Sequence, residues 1–220
     1  MMKLATFMLL TALAIAVLPQ LMVAHAATST LSLSLSEVPP ILPADGNSYP
    51  AIVVSLVSSG NKPAVLANDT VVYLASSQQN VGTVPASVVI PAGRSYVLAN
   101  FTTTGIAGTT TVTAQSVGIS SAYVQVKTAT PSGYPTQFKV FPVPSSQLAQ
   151  PLSAGGLIVE MVDNSGLPAK AISNTVVTLS SANTGIAFFP MSTVTIPQGS
   201  FIFFARDPVR KGGVVYFHMY

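Results

Sequence analysis

The chain has 220 residues, of which only 7% are charged, and its nine Lys and Arg against six Asp and Glu give a formal net charge of +3. This small, mixed charge excludes electrostatic capture of nucleic acid as the main role. Scarce Glu, Lys and Arg disfavour long helices, whereas abundant Ser, Thr and Val favour strands. Because cysteine is absent, no disulfide supports the fold, and stability must come from buried side chains.

The first 26 residues have the pattern of a secretory leader. Lys3 precedes an apolar stretch from Leu4 to Leu18, and Ala24-His25-Ala26 is the small-x-small pattern that a signal peptidase recognises. We therefore predict a signal peptide over residues 1–26 and a mature chain that is secreted or surface-associated, without a transmembrane domain. The alternative is an uncleaved anchor, since residues 4–24 are just long enough to span a bilayer.

Seven short segments after the leader have the pattern of β-strands. The first, LSLSLS, alternates apolar and polar residues, which predicts a strand with one buried face. The second, AIVVSLV, is apolar almost throughout, which is typical of a strand buried on both faces. Turn residues separate the segments about every 8 to 15 residues, and this spacing predicts an all-β fold of Greek-key immunoglobulin-like sandwiches. The predicted strands are residues 31–36, 51–57, 70–76, 87–93, 95–102, 108–115 and 121–127.

The same pattern begins again after the Pro- and Gly-rich segment TATPSGYPT. With an offset of 105 positions, AIVVSLV aligns with GLIVEMV, TVVYL with TVVTL, and Pro63 with Pro168. This internal repeat indicates a tandem array of one module. We predict a first immunoglobulin-like module at residues 29–127, a linker at 128–136 and a second, incomplete module at 137–220.

The second module is predicted to lack its last strand, because Tyr220 falls within the equivalent of strand 108–115. A sandwich without that strand exposes an unpaired edge. Two interpretations stay open. The chain is the front part of a longer array of modules, or another subunit shares a strand with it, as in the strand complementation of pilins.

Turn and strand motifs follow one another in a fixed order along the first predicted module. They are Leu42–Ser48, Gly60 with Pro63 and Ala64, Thr70–Leu74, Ile90–Ser95 and Ala107–Ala114. This ordered set resembles the bacterial immunoglobulin-like modules of invasin and intimin type adhesins. The resemblance covers residues 30–127 well and 137–219 more loosely, and at Leu152–Gly155 the second module lacks the Asp-Gly turn. It implies a non-enzymatic spacer or adhesive module whose partner is an unknown surface protein or polysaccharide.

The sequence offers no constellation for catalysis. Of its two histidines, His25 lies in the predicted leader, so a Ser-His-Asp triad would depend on His218. Ser59 to Lys62 matches the S-x-x-K motif, but it lies in a predicted turn rather than at a helix start. We therefore predict no enzymatic activity, no cofactor and no metal; calcium at a module junction would need several carboxylates to converge on one cation.

Exposed tyrosines provide an alternative function, a carbohydrate-binding module in which aromatic rings stack on sugars. Against it, tyrosines in strands commonly pack across strands instead. The candidates are Tyr49, Tyr96, Tyr123 and Tyr134.

Two sequons, Asn68-Asp69-Thr70 and Asn100-Phe101-Thr102, lie in the predicted mature chain. In an exported protein they predict N-glycosylation at Asn68 and Asn100, provided that the host has the machinery.

Overall fold

The computed structural model of the chain describes residues 31–131, 133–145, 154–182, 184, 187–188 and 192–210. Every regular element in these ranges is a β-strand, which confirms the predicted all-β class. The predicted signal peptide, residues 1–26, lies outside the described residues, as does His218. Within the described ranges, no helix has the length and apolar character needed to cross a membrane.

The first region, residues 31–129, consists of two sheets packed face to face. Its strands are β1 (Ser32–Glu37), β2 (Leu42–Pro43), β3 (Ser48–Ser58), β4 (Lys62–Pro63), β5 (Thr70–Ser76), β6 (Gly82–Thr83), β7 (Ser87–Ile90), β8 (Tyr96–Thr103), β9 (Gly108–Ser116) and β10 (Ile119–Ala129). One sheet has the order β6-β8-β3-β1 and the other the order β10-β9-β5-β7. A parallel bridge between Ser32 and Ser120 joins them. This is the strand order of an immunoglobulin-type sandwich.

The seven strands predicted for this region are all present, and the structure adds β2, β4 and β6, each only two residues long. β10 continues to Ala129, two residues into the segment predicted as linker. The reason is local: Thr128 is buried, and its Oγ1 accepts a hydrogen bond from the Gly108 amide at 3.0 Å. A buried, hydrogen-bonded Thr extends the strand past the point where Pro and Gly become frequent.

Alternating side chains from both sheets form the core of the first region. Leu33 and Val54 contribute from one sheet and Val112 and Val126 from the other, in keeping with the period of two along a strand. Phe101 is the largest fully buried side chain. The core therefore lies between the two sheets, and outward-facing residues of each strand are left for other contacts.

The described part of the second region, residues 137–210, forms two smaller sheets. Its strands are β11 (Gln137–Val143), β12 (Ala154–Val162), β13 (Thr175–Thr178), β14 (Ala187–Phe188), β15 (Thr193–Ile196) and β16 (Ile202–Arg210). The order is β11-β12-β16-β14 in one sheet, while β13 pairs with β15 in the other. Side chains of both sheets, among them Val159 and Ile196, share one core.

The two regions repeat the same hydrogen bonds at equivalent positions. The Gly93 amide donates to the Leu66 carbonyl at 2.8 Å, and the Gly199 amide donates to the Ala171 carbonyl at 2.8 Å. Each glycine has a positive φ, 73° and 81° respectively, which glycine adopts without steric cost. Further repeated pairs are Ala64 N–H to Leu56 O and Ala169 N–H to Met161 O, Leu56 N–H to Ser95 O and Met161 N–H to Phe201 O, and Leu74 N–H to Ala86 O and Leu179 N–H to Ser192 O.

Side chains repeat the same turn chemistry. Asp69 Oδ1 accepts a hydrogen bond from the Ala92 amide at 2.8 Å. At the equivalent place, Asn174 Oδ1 accepts from the Gln198 amide at 2.9 Å. A short side-chain oxygen thus holds the same turn in both regions, once as a carboxylate and once as an amide.

Candidate functional site at the junction of the two regions

The central strand β3 is buried on both faces, as its continuous apolar run predicts. Ile52 and Val54 point into the core of the first region. Val53 points the opposite way, because successive side chains of a strand alternate, yet it is only 1% exposed. The second region covers it: Val53 belongs to a cluster with Ile158 of β12.

This cluster, here called the junction, joins the outer faces of one sheet from each region. Its buried members are Val53, Val143 and Ile158, and its partly buried members are Val38, Tyr96, Leu98, Phe141, Ile202 and Phe204. Ile202 also packs against the core of the first region. The two regions are therefore in direct apolar contact.

The junction is built from equivalent residues of the two repeats. Val53 corresponds to Ile158 and Val38 to Val143 with an offset of 105, and Leu98 corresponds to Phe204 with an offset of 106. Tyr96 and Ile202 form a fourth equivalent pair, which leaves Phe141 as the one unpaired member. A contact in which both partners use the same patch is self-complementary, as in a two-fold symmetric dimer.

One side of the junction is open. A cleft of about 270 Å³ lies between Tyr96 and Leu98 of the first region and Gly155, Gly156 and Phe204 of the second. The two glycines have no side chains to fill this space. The cleft is small compared with a typical ligand pocket of about 300 to 1,000 Å³.

Glu160 of the second region is a buried acidic residue. It lies on the same face of β12 as Ile158, with Lys139 opposite on β11 and Ile202 opposite on β16. It is only 2% exposed, and its Oε1 has no hydrogen-bond partner among the described residues. Burial raises its pKa to about 8, although the positive charge of Lys139 acts in the other direction. The equivalent residue of the first region is Ser55.

Glu37 is an acid of the first region that lies beside the junction, although it is not the repeat equivalent of Glu160. It ends β1, next to Val38 of the junction, and its two carboxyl oxygens accept the Lys127 amide at 3.1 and 3.3 Å. Burial raises its pKa to about 9; the Lys127 amide lowers it, and the charge of Glu160 raises it further. The negative charge of an ionised Glu160 therefore helps to hold the proton on Glu37.

Asp45 and Asp163 accept hydrogen bonds from residues that follow them closely in the chain. Asp45 Oδ1 accepts the Asn47 amide at 3.0 Å, and its Oδ2 accepts the Tyr49 hydroxyl at 2.7 Å. Burial and this carboxylate raise the pKa of Tyr49. Asp163 Oδ1 accepts the amides of Ser165 and Leu167 at 2.8 and 3.0 Å. In the described part of the chain, no three His, Cys, Asp or Glu side chains are placed to hold a metal ion.

The four tyrosines of the predicted sugar platform do not share one surface. Tyr49 bonds to Asp45 and Tyr96 lies in the junction, both on strands of one sheet. Tyr123 belongs to β10 of the other sheet and is 73% exposed. Tyr134 lies between the two regions and is 76% exposed. A different tyrosine, Tyr73 of β5, accompanies Tyr123 on the outer face of its sheet.

Both sequon asparagines are exposed side chains. Asn68 lies in the loop before β5, and Asn100 lies within β8. N-glycosylation at Asn68 and Asn100 stays a prediction. The S-x-x-K match lies in the turn from β3 to β4, as predicted, with Lys62 in β4.

No protein-family model matches the sequence, and no curated protein sequence matches it. Solved structures similar to the chain include domains 5–6 of the S-layer protein SbsC, with a TM-score of 0.45 and 17% identity over 78% of this chain and 86% of that one. The Yersinia pseudotuberculosis adhesin InvE gives 0.34 and 16% over 84% and 54%. Invasin, a bacterial integrin-binding protein, gives 0.31 and 18% over 82% and 34%. The fold assignment depends on the strand order and registers of this chain.

Proposed function

We propose that the chain is a non-enzymatic structural module of the cell surface or the extracellular medium, a stiff spacer in an adhesin-like array. The observation that carries the proposal is the junction. Two sandwich-like repeats that only share a linker can pivot, whereas repeats with a packed apolar contact move together. Val53 and Ile158, each 1% exposed, are the residues whose burial requires that contact.

The side chains of the described residues support a structural role. The described residues offer turn acceptors, strand cores and open clefts, among them one of about 270 Å³ at the junction and one of about 600 Å³ lined by residues such as Asn68 and Tyr73. The acids that burial perturbs, Glu37 and Glu160, lie beside apolar packing rather than in an open pocket. The similar structures include an S-layer protein and an adhesin, which agrees with the predicted leader.

Protease treatment of intact producing cells tests the location. A surface module yields peptides from both regions in the supernatant, identified by mass spectrometry, while a cytoplasmic marker protein stays intact. Peptides released only after lysis would refute display at the surface.

The alternative function, a carbohydrate-binding module, is favoured by one feature. Tyr73 and Tyr123, 58% and 73% exposed, lie on the strands that flank β9, and the outward Thr113 of β9 pairs with Tyr123. Aromatic rings and hydroxyls on a flat face suit the stacking of neutral sugars. A glycan panel probed with the full chain and with Tyr73→Ala and Tyr123→Ala separates the two functions: a spacer binds nothing, and a lectin-like module loses binding in both variants.

Strand sharing with another subunit stays a prediction. Size-exclusion chromatography with light scattering, before and after denaturation, distinguishes a strand-linked assembly from a monomer.

A further inference from the structure

We infer that Glu160 and Glu37 make the junction pH-sensitive, so that the two regions dock tightly when these carboxyls are protonated and separate more readily when they ionise. The inference rests on the docked junction of the proposed function but goes beyond it. It concerns what controls the stiffness of the unit rather than where the unit is displayed.

The burial of Glu160 makes its ionisation unfavourable while the two regions are docked. A carboxyl that is 2% exposed and has one oxygen without a hydrogen-bond partner among the described residues is costly to ionise, because it loses the water that would solvate its charge. Lys139 is its cross-strand neighbour on β11, and Ile202, its neighbour on β16, packs against the first region. Separation of the regions would return water to this face.

The second step is the proximity of Glu37. Its carboxyl accepts the Lys127 amide, and the charge of Glu160 acts on it across the junction. The charged or titratable groups that act on this pair among the described residues are Lys139 for Glu160 and Lys127 for Glu37. Once Glu160 is ionised, ionisation of Glu37 brings two like charges together, which opposes docking.

The direction of the pH effect follows from the raised pKa values. Each carboxyl binds its proton more tightly in the docked state than in water, where its usual pKa is 4.5. Docking is then strongest below about pH 4.5 and weakens as the pH rises, up to about 8 for Glu160 and about 9 for Glu37. The docking constant should fall by up to about tenfold per pH unit for each carboxyl in this window.

Tryptophan fluorescence tests the inference in the full chain, because the sequence contains no Trp. Phe141→Trp places a reporter in the junction, and Phe203→Trp places one in the core of the second region, next to Phe204 on β16. Urea titrations at pH 5, 7 and 9 give a midpoint for each reporter. We expect the junction midpoint to fall steeply with pH and the core midpoint to fall less.

Glu160→Gln is the decisive variant, since it keeps the shape and removes the charge. It should remove about half of the pH dependence between about pH 4.5 and 8, because Glu37 still contributes in that window. Asp69→Asn is the matched control, because Asn already occupies the equivalent position 174, and it should keep the full dependence. An equal pH dependence in Glu160→Gln and the unmodified chain would overturn the inference.

If the core reporter Phe203→Trp is solvent-exposed in Glu160→Gln without urea, that variant does not fold. A second variant then tests the inference. Glu37→Gln should then flatten the pH dependence between about 8 and 9, and an unchanged slope there refutes the inference. A junction reporter that is solvent-exposed at every pH without urea would instead refute docking, and with it the stiff spacer of the proposed function.

Discussion

The turns of the two regions are the same, but their central strands differ at a position that faces the junction. Equivalent turn amides find equivalent acceptors, as at Asp69 and Asn174. In contrast, β12 has the buried Glu160 where the equivalent strand β3 has Ser55. The turn chemistry is therefore repeated independently of the residues that face the junction.

The largest expected effect is in the cores. Ile90 and Ile196 are equivalent residues and 1% and 0% exposed. Ile90→Ala and Ile196→Ala should each lower the free energy of unfolding by about 3 kcal/mol, because each truncates a fully buried side chain and leaves a cavity. Native-state hydrogen exchange of the β3 and β12 amides measures each region separately. A cost below about 1 kcal/mol at either position would contradict its place in a packed core.

An intermediate effect is expected at the junction, where the two regions meet through equivalent residues. Ile158→Ala should weaken docking by about 2 kcal/mol and Val53→Ala by about 1 kcal/mol, because each buries its side chain against the other region. The urea midpoint of a junction reporter gives both values. Val176→Ala, at a side chain that is 65% exposed, is the control and should change docking little.

The smallest effect is expected at the turns. Asp69→Ala and Asn174→Ala each remove the acceptor of one turn amide, so both should cost about 1 kcal/mol. Asp69→Asn should be nearly neutral, since the amide oxygen accepts the same bond. Urea denaturation of the three variants checks the set. A cost confined to one region would contradict the equivalence of the two turns.

Most of the first region could be predicted from the sequence, because its strands carry period-two patterns and its turns carry Gly, Pro and Asp. The two-residue strands β2, β4 and β6 could not, since such short pairings leave no periodic signal. The end of β10 was missed because Thr128 is buried through a contact with Gly108, distant in sequence.

Only part of the junction could be predicted from the sequence. The continuous run AIVVSLV correctly indicates a strand buried on both faces, but it does not identify what covers the outer face. GLIVEMV carries a further signal, because an acid within a run that is buried on both faces is itself buried. The burial of Glu160 is therefore implied by the sequence, while its proximity to Glu37 depends on how the two regions dock.

Docking of the two regions as one unit is the central claim, and a distance measurement between them tests it most directly. The chain contains no cysteine, so Val117→Cys and Val176→Cys, at positions 92% and 65% exposed, introduce one spin label in each region. Double electron–electron resonance should give a single narrow distance distribution, which broadens when Val53→Asp places a charge in the junction. A broad distribution in the chain without Val53→Asp would contradict the account.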